Sequence, residues 1–341
     1  MSQAPSDDAG AERCAIRTHR LTKHYGQRRV VDSLDLSVRT GSVYGFLGRN
    51  GAGKSTTIGM LTGMVRPDSG RAEVLGERAD RLSPATRSRV CYLAEGHPLY
   101  GWMRIEEAVR FTRSFYPDTW NDELCDGILA HFGLSRRQRC RTLSRGQKAQ
   151  VSLALGVAPE PELLILDDPT LGLDTVVRRD FLESLIQIIQ RDGRTILFSS
   201  HNLGDVERVA DRVGVMIDGV LRVDCPTETF RESVTKVVLT FHGAAPDGAE
   251  ALAECPGLVS AWTAGSTLEV VLVGYDDAQR AAVEALEPRA IDRVDLNLEE
   301  AFIEYTRGRR RPLPFFATRN PSTPSPGGAA HGPRDRAQRT A

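Results

Sequence analysis

GRNGAGKST, residues 48–56, fits the pattern G-x-x-x-x-G-K-[ST] in full. Chance supplies such a match in ~1% of chains of this length at average composition. The context is what gives it meaning. The apolar run VYGFLG precedes it and reads as a strand, and STTIGMLTGM follows it and reads as a helix. Glycines let successive backbone N–H groups turn inward, and the helix N-terminus adds favourable partial charge for an anion. Gly48, Arg49, Asn50, Gly51, Ala52, Gly53, Lys54, Ser55 and Thr56 are therefore read as a cradle for the phosphates of a nucleotide. Lys54 is expected to reach the β- and γ-phosphates, and the Ser55 hydroxyl to hold Mg²⁺. A plain glycine-rich turn is the competing reading, and the flanking pattern argues against it.

The partner of that loop is LLILDDPTLGLD, residues 163–174. Four apolar residues before Asp167 read as a buried strand. Asp167 then emerges at its C-terminal end, where ligands bind in open α/β sheets. Its expected role is Mg²⁺ coordination, directly or through water. Strands and helices alternate through this half of the chain: LLILDD, a helix through FLESLIQIIQ, TILFSS, a helix at VERVA, then RVGVMID. That alternation predicts an α/β fold with a mostly parallel sheet.

Bulk properties narrow the function classes. The chain has 341 residues, 40% hydrophobic and 26% charged, with a formal net charge of −1. Such balance argues against wholesale nucleic-acid binding. No apolar run approaches the ~20 residues that a membrane-crossing helix needs. The opening MSQAPSDDAGAER is polar and acidic, unlike a secretory signal, so a cytoplasmic protein is expected. The six cysteines stand singly with no CxxC pair, which suits reduced thiols better than metal ligands or disulfides.

Residues 1–13 read as a disordered lead. Short β-rich runs (CAIRTHRL, LDLSVR, VYGFLG, RAEVLG) fill the stretch up to about residue 76. IEEAVRFTRSFY and ELCDGILAHFGL carry apolar residues at three- and four-residue spacing, the mark of a helical insert at about 96–158. Composition shifts near Asp224–Thr235. Beyond it, four strand-like runs (KVVLTFHG, LVSAWTAG, STLEVVLVG, IDRVDLN) interleave with helices at GAEALAE, DAQRAAVEAL and LEEAFIEYTR. This predicts a small α+β unit over 236–307. Residues 308–341 are rich in Pro, Gly, Ser and Arg and read as a disordered tail. Its arginines suit acidic lipid headgroups; a solubilising segment is the plainer reading.

LSRGQKAQ, residues 143–150, carries a family resemblance. The ATP-binding subunits of ABC transporters have the signature LSGGQ, a following basic residue and a helix, shortly upstream of the second aspartate strand. This chain resembles them continuously over about residues 15–235. The resemblance implies a P-loop NTPase of the ABC ATPase type, with a β-rich N-terminal subdomain, a helical insert and a C-terminal α+β domain. It assigns 14–235 to the ATP-binding domain. It implies that Ser144, Gly146 and Gln147 grip the γ-phosphate of ATP bound to a second subunit, hence a homodimer or paired subunit. It matches Tyr25 to the aromatic stacking on adenine, Asp174 of LGLD to communication across the dimer, and His201 to a γ-phosphate contact. A membrane permease is the implied partner, with the chain peripheral on the inner face of the cell membrane. LNLEEAFIEYTR resembles the end of the C-terminal domain on subunits exporting drugs, antibiotics or lipids.

Three positions depart from the family pattern. Arg145 replaces the first glycine of the signature. Glu95, in YLAEGHPLYGWM, stands where Gln is usual; both ligate Mg²⁺, but Glu adds charge. Asp168 stands where Glu usually polarises the attacking water, and it is shorter by roughly 1.5 Å. An error of ~1 Å in placement costs ~100-fold in rate. Either the loop advances to compensate or hydrolysis is slow. An exporter ATPase is thus the expected function. An ABC-type ATPase acting on a soluble partner and a nearly inactive nucleotide switch remain open alternatives.

Overall fold

Alternating burial along CAIRTHRLTKHY makes β1 (Cys14–Tyr25) a two-faced strand. A tight turn at Gly26, with φ +61°, returns it into antiparallel β2 (Arg28–Leu34). β3 (Ser37–Arg39) also pairs with β1. The computed structural model describes residues 13–307; the expected lead at 1–13 falls outside this range except for Arg13, and the expected tail at 308–341 falls outside it altogether.

β4 (Val43–Gly48) is buried at all six positions and runs into the phosphate loop and α1 (Lys54–Leu61). β5 (Ser69–Val74) and β6 (Glu77–Arg78) complete an antiparallel sheet of order β2-β1-β5-β6, with β3 beside β1. α2 (Pro84–Ser88) opens on Ser83, whose Oγ accepts from the Thr86 N–H at 3.1 Å, and β7 (Val90–Leu93) follows. The helical stretch comprises α3 (Ile105–Arg113), α4 (Asp122–His131) and α5 (Arg145–Val157), packed about Ile105, Cys125, Leu129, Val151 and Ala154.

β8 (Leu163–Asp167), α6 (Thr175–Asp192), β9 (Thr195–Ser200), α7 (Leu203–Val209), β10 (Arg212–Ile217), β11 (Val220–Pro226) and α8 (Thr227–Ser233) complete the α/β part. The central sheet has the order β11-β10-β4-β9-β8-β7. Every pairing in it is parallel except that of β11 with β10. Its inner strands β4, β8, β9 and β10 are buried almost throughout because both faces are covered. β12 (Val234–Thr240), α9 (Gly248–Ala251), β13 (Leu258–Ala264), β14 (Thr267–Val273), α10 (Asp277–Glu284), β15 (Ala290–Val294) and α11 (Leu298–Arg307) follow. They build an antiparallel sheet of order β13-β14-β12-β15.

This is the expected α/β P-loop ABC-ATPase fold, with its β-rich subdomain, helical insert and C-terminal α+β part. Pattern alone does not predict β2, β7, β11 or α8. RRVVDSL and VLRVDCP mix charge into half-exposed edge positions, and VCYL is too short for a period. The compositional shift at 224–235 is occupied by the end of β11 and by α8. One apolar cluster joins Phe198, Val206 and Val213 of the central layer to Phe230, Leu298 and Phe302. Each fully buried side chain of this kind contributes about 1.5–3 kcal/mol. Among the described residues, no helix is long and apolar enough to cross a membrane.

Candidate functional site

Strand register assembles the site. β4, β9 and β8 are parallel neighbours, with Leu47 opposite Ser200 and Asp167 opposite Ser199. The phosphate loop, the Ser199–His201 strand end and Asp167 therefore leave the sheet at one C-terminal edge. Asn50, Gly51, Gly53, Lys54, Ser55, Thr56, Glu95, Asp167, Asp168 and His201 all border one cavity of about 350 Å³ there. The loop's shape depends on glycine. Gly53 has φ +108°, and a Cβ on it would lie 2.5 Å from the Val30 carbonyl oxygen.

Lys54 is buried, and its Nζ donates to the Gly48 carbonyl at 2.6 Å and to the Arg49 carbonyl at 3.5 Å. Burial pushes its pKa down, opposed by the negative charges of Asp168, Asp167 and Glu95. The ammonium is thus held inside the loop, facing three carboxylates. The Ser55 hydroxyl donates to Asp167 Oδ1 at 3.3 Å, and the Ser199 hydroxyl donates to the same oxygen at 2.8 Å. Ser55 and Asp167 offer only hard oxygen donors, which fits Mg²⁺. Among the described residues no cluster of three or more His, Cys, Asp or Glu could hold a metal. An ion at Ser55 and Asp167 would thus draw most of its ligands from substrate phosphates and water, the usual habit of Mg²⁺.

Asp168 is buried and adopts φ +46°, a left-handed conformation that Asp and Asn tolerate better than most residues. Its backbone N–H donates to the Ser199 carbonyl at 3.1 Å and to Ser199 Oγ at 3.0 Å. Its Oδ2 accepts from His201 Nδ1 at 2.5 Å, and its Oδ1 is buried without a partner from the chain. Pairing through Nδ1 directs the imidazole and leaves its Nε2 for a second contact. Asp168 and His201 form a carboxylate–imidazole pair that borders the same cavity as the phosphate loop.

Other expected residues lie outside this cavity. Tyr25 is 52% exposed, carries Lys23 Nζ at 5.6 Å from its ring centroid, and pairs across the hairpin with Arg28, which does border the cavity. Ser144 is exposed at the N-cap of α5. Its Oγ accepts from the Gln147 N–H at 3.1 Å, and Gln147 Oε1 accepts from the Ser144 N–H at 3.0 Å, a capping box. Gly146 lets α5 approach α6, since a Cβ there would sit 2.6 Å from Val177 Cγ1. Asp174 caps α6, its Oδ1 accepting from Val176 and Val177 N–H at 3.1 and 3.0 Å. Arg145 reaches over the LGLD loop, its Nη1 3.1 Å from the place of a Cβ on Gly172.

Sequence reasoning missed Arg28, Ser199 and His97. Ser199 had a signal, because TILFSS ends in step with LLILDD in a parallel sheet. His97 had none: its Nε2 meets the Pro169 carbonyl at 2.8 Å across 72 residues of chain. Burial pushes the pKa of this imidazole down, with the Pro169 carbonyl opposing.

The family model described as "ABC transporter" matches residues 31–171. A bacitracin transport ATP-binding protein, BcrA of Bacillus licheniformis, is 33% identical over 219 residues, 64% of this chain and 71% of that protein. The Nod factor export ATP-binding protein I of Neorhizobium galegae is 32% identical over 297 residues, 86% of this chain and 85% of that protein. A solved ATP-binding subunit of an ABC transporter superposes with a TM-score of 0.58 at 26% identity, covering 64% of this chain and 92% of its own.

Proposed function

The chain belongs to the ATP-binding subunits of ABC transporters, and from that premise we propose that it powers an exporter by binding and hydrolysing ATP in paired, composite sites. The observation that carries this reading is the division of the expected site residues. Lys54, Ser55, Asp167, Asp168 and His201 border one cavity, whereas Ser144 is exposed and borders none of it. A second copy, or a paired subunit, supplies its signature helix to the γ-phosphate of the first, head to tail. Binding then closes two sites, and hydrolysis reopens them.

Within each site Lys54 meets the transferring phosphate, Ser55 and Asp167 hold Mg²⁺, and Glu95 completes the oxygen-rich wall. Bound there by Ser55 and Asp167, Mg²⁺ would supply positive charge to the phosphates of the nucleotide. Asp168 polarises the attacking water, and His201 orients Asp168 while touching the γ-phosphate. Tyr25 stacks on adenine, and Asp174 answers the partner across the dimer. We assign residues 14–235 to the ATP-binding domain and 236–307 to an accessory domain. The names of the bacitracin and Nod factor relatives support export of a drug, antibiotic or lipid. The permease is a separate membrane protein, and this chain rides on its inner face.

The test is ATP turnover by the full chain, with and without membranes of its own host, together with recovery of the chain from those membranes. Stimulated turnover and copurification of a membrane protein are expected. Unchanged turnover, with the chain wholly in the soluble fraction, would favour a soluble partner instead.

A further inference from the structure

The turn after β7 has two sides. Ala94, Glu95, Gly96 and His97 reverse the chain, with the His97 N–H donating to the Ala94 carbonyl at 3.2 Å. Gly96 and His97 both take left-handed backbone, at φ +78° and +50°. Glu95 faces the nucleotide cavity, while His97 borders a second, mainly apolar cavity of about 410 Å³ with Leu93, Leu99, Tyr100 and Met103. His97 is only 4% exposed, and its ring lies 6.2 Å from that of Phe181.

A carbonyl oxygen only accepts, so the 2.8 Å contact requires His97 Nε2 to carry the proton and donate to Pro169. Nδ1 is then a bare lone pair, buried without a partner. The acceptor's position is what matters. Pro169 directly follows Asp168, in a turn that reverses sharply enough for the Leu171 N–H to donate to the Asp168 carbonyl at 3.1 Å. Each neighbour in this turn is tied down by a different element. Ser199 of β9 holds the Asp168 N–H, and Asp205 of α7 accepts from the Thr170 hydroxyl at 2.7 Å. His97 holds the peptide between them. A non-glycine residue in left-handed backbone persists only where its surroundings over-determine it.

We propose that His97 is a positioning residue for Asp168: by gripping the Pro169 carbonyl it locks the left-handed turn that aims the carboxylate into the nucleotide cavity. It also makes the Glu95 turn and the Asp168 turn one body, so the two carboxylates keep their spacing about the phosphates. The inference rests on the reading of Asp168 as the water-polarising group.

The test compares steady-state ATP hydrolysis by the full chain and its His97→Leu, His97→Gln, His97→Asn and Asp168→Asn variants, each with ATP binding measured separately. Leu removes the donor. Gln places an amide N–H near the position of Nε2, and Asn falls short of it. For His97→Leu, kcat should drop about 10- to 100-fold, the effect of a carboxylate misplaced by up to ~1 Å, with KM and ATP binding within about twofold. His97→Gln should recover most of that loss and His97→Asn little. If His97→Leu does not fold, the contrast of Gln with Asn carries the same test. Parental kcat in His97→Leu beside a dead Asp168→Asn would overturn the role of His97 and leave that of Asp168 standing. So would equal kcat for Gln and Asn, or a joint loss of kcat and ATP binding, which marks a merely structural histidine. Parental turnover in Asp168→Asn would instead remove the reading on which the inference rests.

Discussion

Two helix N-termini of this chain enter the proposed composite site, and they are built in opposite ways. α1 opens on Gly53 with no side-chain cap, in a loop whose lysine is buried and already in place. α5 opens on Ser144, exposed and closed upon itself by a complete capping box with Gln147. A helix start leaves up to four N–H groups without intrahelical partners. At α1 no side chain takes them up, so they are preorganised for phosphate. At α5 part of that capacity is spent within the chain. An anion arriving there must compete with a good internal cap, so α5 suits a γ-phosphate already held by another subunit rather than free nucleotide.

The contrast breaks most decisively at Lys54. Lys54→Ala should lower ATP hydrolysis by about 1000-fold, since one preorganised donor at the reacting charge is worth ~10²–10³. It should also weaken nucleotide binding, because the backbone cradle alone remains. Steady-state turnover by the purified protein checks it, and a normal rate would refute the assignment of α1 as the phosphate end.

Asp168 gives the next largest effect. Asp168→Asn should lower turnover on the order of 100- to 1000-fold while ATP stays bound, because a carboxamide accepts a hydrogen bond but is a far poorer base. Asn tolerates φ +46° as Asp does, so the fold should survive. Asp168→Glu discriminates further. A longer side chain in left-handed backbone, against a His201 already 2.5 Å away, should overshoot and cost about 10- to 100-fold. Single-turnover measurements decide it. A rise with Glu would mean that the shorter residue is a handicap for slow cycling.

Ser144 then separates the two roles of α5. Asp is as good an N-cap as Ser, so Ser144→Asp should leave the monomer intact. Its carboxylate would nonetheless oppose a γ-phosphate and prevent ATP-dependent dimers. Light scattering in the Asp168→Asn background reads this directly; equal dimer content in mutant and parent would sink the composite site. The smallest effect belongs to Ser144→Ala, which removes the cap for about 1 kcal/mol of stability. Thermal melting should register that loss, whereas Ser144→Asp should melt like the parent.

Much of this was legible from residues alone. GRNGAGKST and LLILDD announce themselves because a phosphate cradle and a buried strand end each need a contiguous run of residue types. The helical insert was legible for a similar reason, in the spacing of IEEAVRF and ELCDGIL. The edge strands β2 and β11 were not, since exposed edges tolerate charge and blur the period. The joining of α11 to the central layer through Phe302 and Leu298 was not legible either, because apolar residues declare that they are buried but not against what.

By itself, then, the sequence determined the local chemistry: which loop cradles phosphates, which carboxylates follow the strand, and the departures at Glu95, Arg145 and Asp168. Tertiary structure alone decided how those pieces face one another. It put Ser199 on Asp167, His201 on Asp168 and His97 on Pro169, and it kept Ser144 outside the cavity. The physical reason is range. Backbone conformation and burial follow from neighbours a few residues apart, and pattern records them. A hydrogen bond between residues 97 and 169 depends on strand order and register in a parallel sheet, which no single stretch of the chain encodes.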